Sequence, residues 1–118
     1  MSRYIYKICP TPLWEQALQA GVFHGAGIDI QDGYIHFSTA EQSAQTLALH
    51  FTAQEGLTFI EIDSAKLALT WEASRGGQLF PHLYEPLPLS AVTNSWPLAL
   101  DETGTHILPP LSQSRKED

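Results

Sequence analysis

Arg75 stands beside Gly76 and Gly77 in the run Trp71-Glu72-Ala73-Ser74-Arg75-Gly76-Gly77, and it is the one arginine away from the chain ends. A planar guanidinium next to backbone N–H groups freed by glycine suits a carboxylate or a phosphate. The competing role is an internal salt bridge, with Glu72 as the nearest candidate, that fixes the loop. His36 ends a short apolar segment and precedes Ser38 and Thr39, where a helix can begin. Free N–H groups at such a start favour an anion, and a neutral imidazole there can share a hydrogen bond with a ligand hydroxyl. A core histidine bonded to a backbone carbonyl is the plainer alternative. His82 lies two residues before Tyr84. In extended chain the two point to one face, giving a titrating ring beside a phenol. Glu85 then falls on the opposite face.

Other reactive residue types carry weaker signals. His24, His50 and His106 lack any close metal-ligand spacing, although His24, His36 and His82 could meet in space around zinc. Cys9, the single cysteine, follows a strand-like run and reads as a buried spectator thiol. Gly25-Ala26-Gly27 lacks the strand before and helix after that would give it meaning. Asp29 and Asp32 read as ordinary turn chemistry, because Asp32 precedes Gly33.

The elements that must position these residues follow from periodicity. Tyr4 to Ile8 is a strand rich in β-branched and aromatic residues. Thr11 and Pro12 open a helix with Leu13, Trp14, Ala17 and Leu18 on one face, ended by Gly21. Val22 to Gly33 is a glycine-rich loop, and Tyr34 to Phe37 a short strand. Thr39 and Gln42 form a capping box for a second helix carrying Ala40, Ala44, Leu47, Ala48 and Phe51 on one stripe, closed by Gly56. Leu57 to Asp63 is a strand, Leu69 to Glu72 a shorter one, and Leu79 to Tyr84 is extended through Pro81. Pro86 and Pro88 confine Leu87 and Leu89 to an edge or loop. Ala91 to Thr93 leads a last long strand toward Trp96 and Pro97. Two early helices packed on short, mostly antiparallel strands predict an α+β fold with a split sheet.

The chain has 118 residues, one domain's worth. Residues 1–111 read as a single domain and 112–118 as a flexible polar tail with balanced charge. Lys+Arg total 6 against Asp+Glu 13, for a net charge of −7. Such a body repels phosphate backbones and anionic membrane surfaces, so neither nucleic acid nor membrane is an expected partner. One cysteine excludes an internal disulfide framework. A soluble, cytoplasmic protein is expected, since no signal region or membrane span is evident.

Three segments together resemble a known family. They are Tyr4 to Ile8 with Trp14-Glu15, Asp32 through Gln42, and Trp71 through Tyr84. The sequence is similar, over residues 4 to 110, to the small bacterial family called domain of unknown function 952. That resemblance implies a fold like that of the ADP-ribosyltransferases, whose two small sheets grip NAD. It further implies that His36, with Ser38 and Thr39, would hold a ribose and that Tyr84 would stack on a ring. Glu72 or Glu85 would be the acid facing a developing oxocarbenium ion. NAD is the candidate cofactor, with Arg75, Gly76 and Gly77 on phosphate and His82 nearby. The expected ligand is small and anionic or nucleotide-like. The alternatives are a binding module for an anionic metabolite or protein partner, and residues that only lock a loop.

Overall fold

The computed structural model describes residues 3–111, with Arg75 described by its backbone alone, so the tail lies outside the described residues. Strand β1 (Tyr4–Pro10) leads into helix α1 (Thr11–Ala20). Thr11 does not cap that helix. Pro10 occupies the cap position, and the Thr11 hydroxyl instead meets Thr58 Oγ1 at 2.8 Å. Gly21 ends α1 in the left-handed conformation, as expected. Trp14 and Ala17 are buried, whereas Leu13 and Leu18 are exposed, so the apolar face is narrower than the sequence suggests.

The glycine-rich stretch is more ordered than a loop. It holds a two-residue strand, β2 (Val22–Phe23), and a short helix, α2 (Ile28–Asp32). Strand β3 (Ile35–His36) follows, then α3 (Ala40–His50). The Thr39 hydroxyl accepts from Gln42 N, and the Gln42 amide oxygen accepts from Thr39 N, completing the capping box. Gln42 Nε2 also donates to Leu79 O at 2.8 Å, tying the helix start to a distant turn. Thr39→Ala is expected to lower stability by about 1 kcal/mol in urea unfolding; an unchanged midpoint would mean that water caps the helix as well. The helix stops at His50, with Phe51 as its cap, and Gly56 turns the chain into the next strand.

Strand β4 (Leu57–Asp63) is buried at every position. Then come β5 (Thr70–Ala73), β6 (Leu79–Leu83), β7 (Leu87–Pro88), β8 (Val92–Leu100) and β9 (His106–Ile107). The strands form sheets in the orders β1-β4-β8-β9, β3-β6-β5 and β2-β7, all paired antiparallel. A bridge between Tyr6 and Ser38 joins the first two sheets. The architecture is a single-domain α+β fold of mostly short antiparallel strands.

Alternation along β1 explains the layers. Tyr6 and Ile8 face α3, with Phe59 and Leu57 of β4 and Leu47 of the helix. Ile5 and Cys9 face the other way, into a core shared with Trp14, Ile60, Ile62, Ile35 and Leu83. Ile35 and Leu83 therefore close the inner face of the three-stranded sheet. Its outer face is left to residues one position away in register, and these include the histidines. Among the described residues no helix is long and apolar enough to cross a membrane.

Candidate functional site

β3 pairs with β6 so that His36 sits opposite His82, and β5 pairs with β6 so that Thr70 sits opposite His82. Period-two alternation then places Tyr34, His36, His82, Tyr84 and Glu72 on the outer face together. Tyr34 is the centre of this group. Its ring centroid lies 4.5 Å from His36, 4.4 Å from His82 and 4.9 Å from Tyr84. His36 and His82 are 5.2 Å apart, edge to face. His82 lies almost fully buried beside Tyr34, while Tyr84 is 55% exposed.

One carboxylate organises one end of the group. Glu72 Oε1 accepts from His82 Nδ1 at 2.6 Å and from the Tyr84 hydroxyl at 2.7 Å. Those two bonds, His82 first, hold the Glu72 carboxyl below its usual range. The same bond pushes the Tyr84 phenol up to about 12, with burial adding to it. Tyr84 is therefore a neutral donor with a fixed ring.

A second carboxylate organises the other end, and the sequence reading passed over it. Asp29, on α2, is 2% exposed. Its Oδ2 meets Lys7 Nζ at 2.6 Å and accepts from Ala26 N at 2.9 Å. Its Oδ1 meets His36 Nδ1 at 2.6 Å and accepts from His36 N at 3.1 Å. Burial alone would raise its pKa, but the His36 bond and the Lys7 charge outweigh that and hold it below the usual value. Lys7 also donates to His36 O at 3.0 Å. Asp32, likewise set aside as turn chemistry, meets His36 Nε2 at 3.0 Å. Both His36 nitrogens thus face carboxylates. Cys9, buried in the core, has its thiol pushed up to about 11 chiefly by that burial, which suits an inert spectator.

Four of the expected residues converge: His36, His82, Tyr84 and Glu72. Five do not. Ser38 is buried, pairs with Tyr6 and bonds Thr46 Oγ1 at 2.9 Å. Thr39 caps α3. Gly76 and Gly77 lie in the Arg75–Gly77 turn between β5 and β6, and the Gly77 N–H already donates to Ser74 O. That turn and Tyr84 are at opposite ends of β6, whose five residues span roughly 16 Å at the rise of a strand. The Arg75 side chain lies outside the described residues. Among the described residues no group of three His, Cys, Asp or Glu side chains could hold a metal ion. His106 bonds Gln54 O at 2.7 Å, away from the site.

A cleft of about 230 Å³ opens beside the two tyrosines, lined in part by His24, Ile30, Tyr34, Tyr84, Glu85 and Pro86. Asp29 reaches its wall as well. Glu85 shares this cleft with Tyr84 because β6 ends at Leu83, so strict alternation no longer separates them. Glu72 is not part of the lining; it stands behind the Tyr84 hydroxyl.

The model of the family described as protein of unknown function, DUF952, matches residues 8–95. The crystal structure of protein CC0527 from Caulobacter crescentus is 42% identical, with a TM-score of 0.84 over 88% of this chain and 93% of that one. The solution NMR structure of CC0527 is also 42% identical, with a TM-score of 0.79 over 88% of this chain and 91% of that one. No curated protein matches the sequence.

Proposed function

The chain belongs to the DUF952 family of proteins of unknown function, and from that premise we propose that the cleft beside Tyr34 and Tyr84 binds the ring end of NAD or of an ADP-ribose-like nucleotide. The supporting observation is Tyr84. Its ring is largely exposed, yet its hydroxyl is tied to Glu72. A flat ring held in place offers stacking area without losing side-chain freedom on binding. The ligand class comes from the resemblance to the ADP-ribosyltransferases.

The size of the cleft refines the assignment. At about 230 Å³ it is smaller than a pocket for a whole drug-sized ligand, ~300–1,000 Å³. It therefore takes one ring and part of its sugar. The remainder of a dinucleotide would extend beyond the cleft. Glycosidic cleavage would need a carboxylate close to the ribose carbon. Glu85, in the lining, would be the candidate for that role, while Glu72 holds Tyr84 and His82. The commitment of Glu72 to those two partners favours a second reading, in which the cleft binds without reacting.

A thermal-shift series with NAD, ADP-ribose, nicotinamide and inorganic phosphate tests the assignment. A ligand at about 100 times its Kd stabilises the fold by about 2.7 kcal/mol. The expected result is a shift with NAD or ADP-ribose that disappears in Tyr84→Ala. No shift with either, in a wild-type protein that unfolds cooperatively, overturns the reading. Nicotinamide release from NAD would then separate reaction from binding.

A further inference from the structure

The two histidines of the outer face differ in what they leave unbonded. His36 has both ring nitrogens on carboxylates, Asp29 and Asp32. His82 has only one nitrogen so placed. Its Nδ1 meets Glu72 Oε1 at 2.6 Å, and among the described residues no group bonds its Nε2, although the residue is only 4% exposed. A buried ring nitrogen without a partner is costly, so this atom needs either a partner or a task. Its protonation follows from Glu72. That carboxyl is held below its usual range, so it is ionised near neutral pH and can only accept. The proton therefore sits on Nδ1 and the lone pair on Nε2. The Tyr84 hydroxyl donates to the same Oε1 at 2.7 Å and fixes the carboxylate further. Tyr34 connects this pair to the cleft. It belongs to the cleft lining, packs on the His82 ring at 4.4 Å, and forms a tyrosine wall with Tyr84 at 4.9 Å. Among the described residues its hydroxyl makes no hydrogen bond, so ring contacts hold it in place.

We propose that His82 is a general base that activates water for hydrolysis of a ligand in the neighbouring cleft, with Glu72 as its positioning residue. The inference rests on the binding role proposed above for that cleft and adds a reaction to it. At its low exposure the His82 ring meets water rather than a whole ligand. The Nε2 lone pair takes one proton from the water. The O–H bond breaks, and its electron pair stays on oxygen. That oxygen forms a bond to an electrophilic carbon of the ligand, and the displaced group leaves with its own electron pair. The positive charge left on the ring is balanced by Glu72, the arrangement by which a carboxylate supports an imidazole base. The two bonds that keep Glu72 from acting on a ligand directly are thus the ones that orient the base.

Two measurements test the inference, and neither needs a nucleotide to bind. The first is nitrogen NMR of the histidine rings in the wild-type chain. His82 should be a single tautomer, protonated at Nδ1 and bare at Nε2, and should lose that fixed tautomer in Glu72→Leu. A proton on Nε2 in wild type overturns the inference. The second is acylation by diethyl pyrocarbonate, located by mass spectrometry in Tyr34→Ala, where the ring cover is gone. The Nε2 lone pair attacks a carbonyl carbon of the reagent, an N–C bond forms, and ethyl carbonate leaves. His24 is the internal reference, since it is exposed and bonded to no carboxylate among the described residues. His82 is expected to react about tenfold faster than His24, and that advantage should vanish when Glu72→Gln is added. A His82 rate equal to or below that of His24, or an advantage that survives Glu72→Gln, overturns the inference. If Tyr34→Ala does not fold, the wild-type tautomer decides. The thermal-shift series keeps the two proposals apart. A shift with NAD or ADP-ribose beside an unreactive His82 leaves the nucleotide reading standing and this one refuted. A reactive, correctly protonated His82 without any shift refutes the nucleotide and keeps the base.

Discussion

Asp29→Ala is expected to lower the stability of the fold by about 3–5 kcal/mol, the usual effect of removing one partner of a buried ion pair. Asp29 has no side-chain exposure and Lys7 has 8%. Without the carboxylate, the Lys7 ammonium keeps only the His36 carbonyl, at 3.0 Å, as an observed acceptor. The amides of Ala26 and His36 lose an acceptor at the same time. Chemical unfolding of Asp29→Ala, Lys7→Met and the double variant reads the effect. The double variant should be clearly more stable than the sum of the singles predicts, because no ammonium is then left buried alone. A loss below about 1 kcal/mol in Asp29→Ala would show that the pair is solvated in solution and that the buried geometry is wrong.

The same carboxylate gives stability a pH dependence of definite sign. Its folded-state pKa lies below the unfolded value, because the His36 bond and the Lys7 charge overcome burial. Its contribution is therefore complete above the unfolded carboxylate value and is lost as pH falls through the folded one. Asp29→Asn should flatten the acid side of the stability profile, whereas a variant far from the site should not.

Much of this arrangement is legible in local patterns. The Thr39–Gln42 box, the stop at Gly21, the β4 run and the shared face of His82 and Tyr84 are each set by short-range rules, and each is present. The short helix α2 is not legible, because five residues cannot display a helical period and their glycine neighbours argue for a loop. Ser38 and His36 look like site partners in sequence. In the fold, the chain leaves β3 between them, so Ser38 pairs with Tyr6 while His36 stays with β6. The missed signal is Lys7. Alternation puts it on the same face of β1 as Ile5 and Cys9, both core residues. A lysine between two inward positions requires a buried counter-charge, and that requirement alone would have directed attention to Asp29. Tyr34 gave no such warning, since its role arises from three tertiary ring contacts.

Gly25→Ala is expected to cost about 2–5 kcal/mol, combining strain at positive φ with overpacking. Gly25 has a φ of 112°, and a Cβ there would stand 2.7 Å from the Asp29 Cβ. The collision is with the base of the side chain, so rotation of the carboxylate cannot relieve it. Either Asp29 moves off Lys7 and His36, or the backbone before α2 moves. Gly33→Ala is the control. Gly33 also has positive φ, at 84°, but a Cβ there meets nothing within 4 Å. Its expected loss is about 1–2 kcal/mol, from conformation alone. Thermal unfolding of the two variants therefore separates strain from contact. Equal losses would refute the close approach of Gly25 to Asp29. A larger loss in Gly25→Ala, accompanied by weaker binding in the cleft that Asp29 helps to wall, would show that this glycine is required so that a buried aspartate can hold His36 against the tyrosine wall.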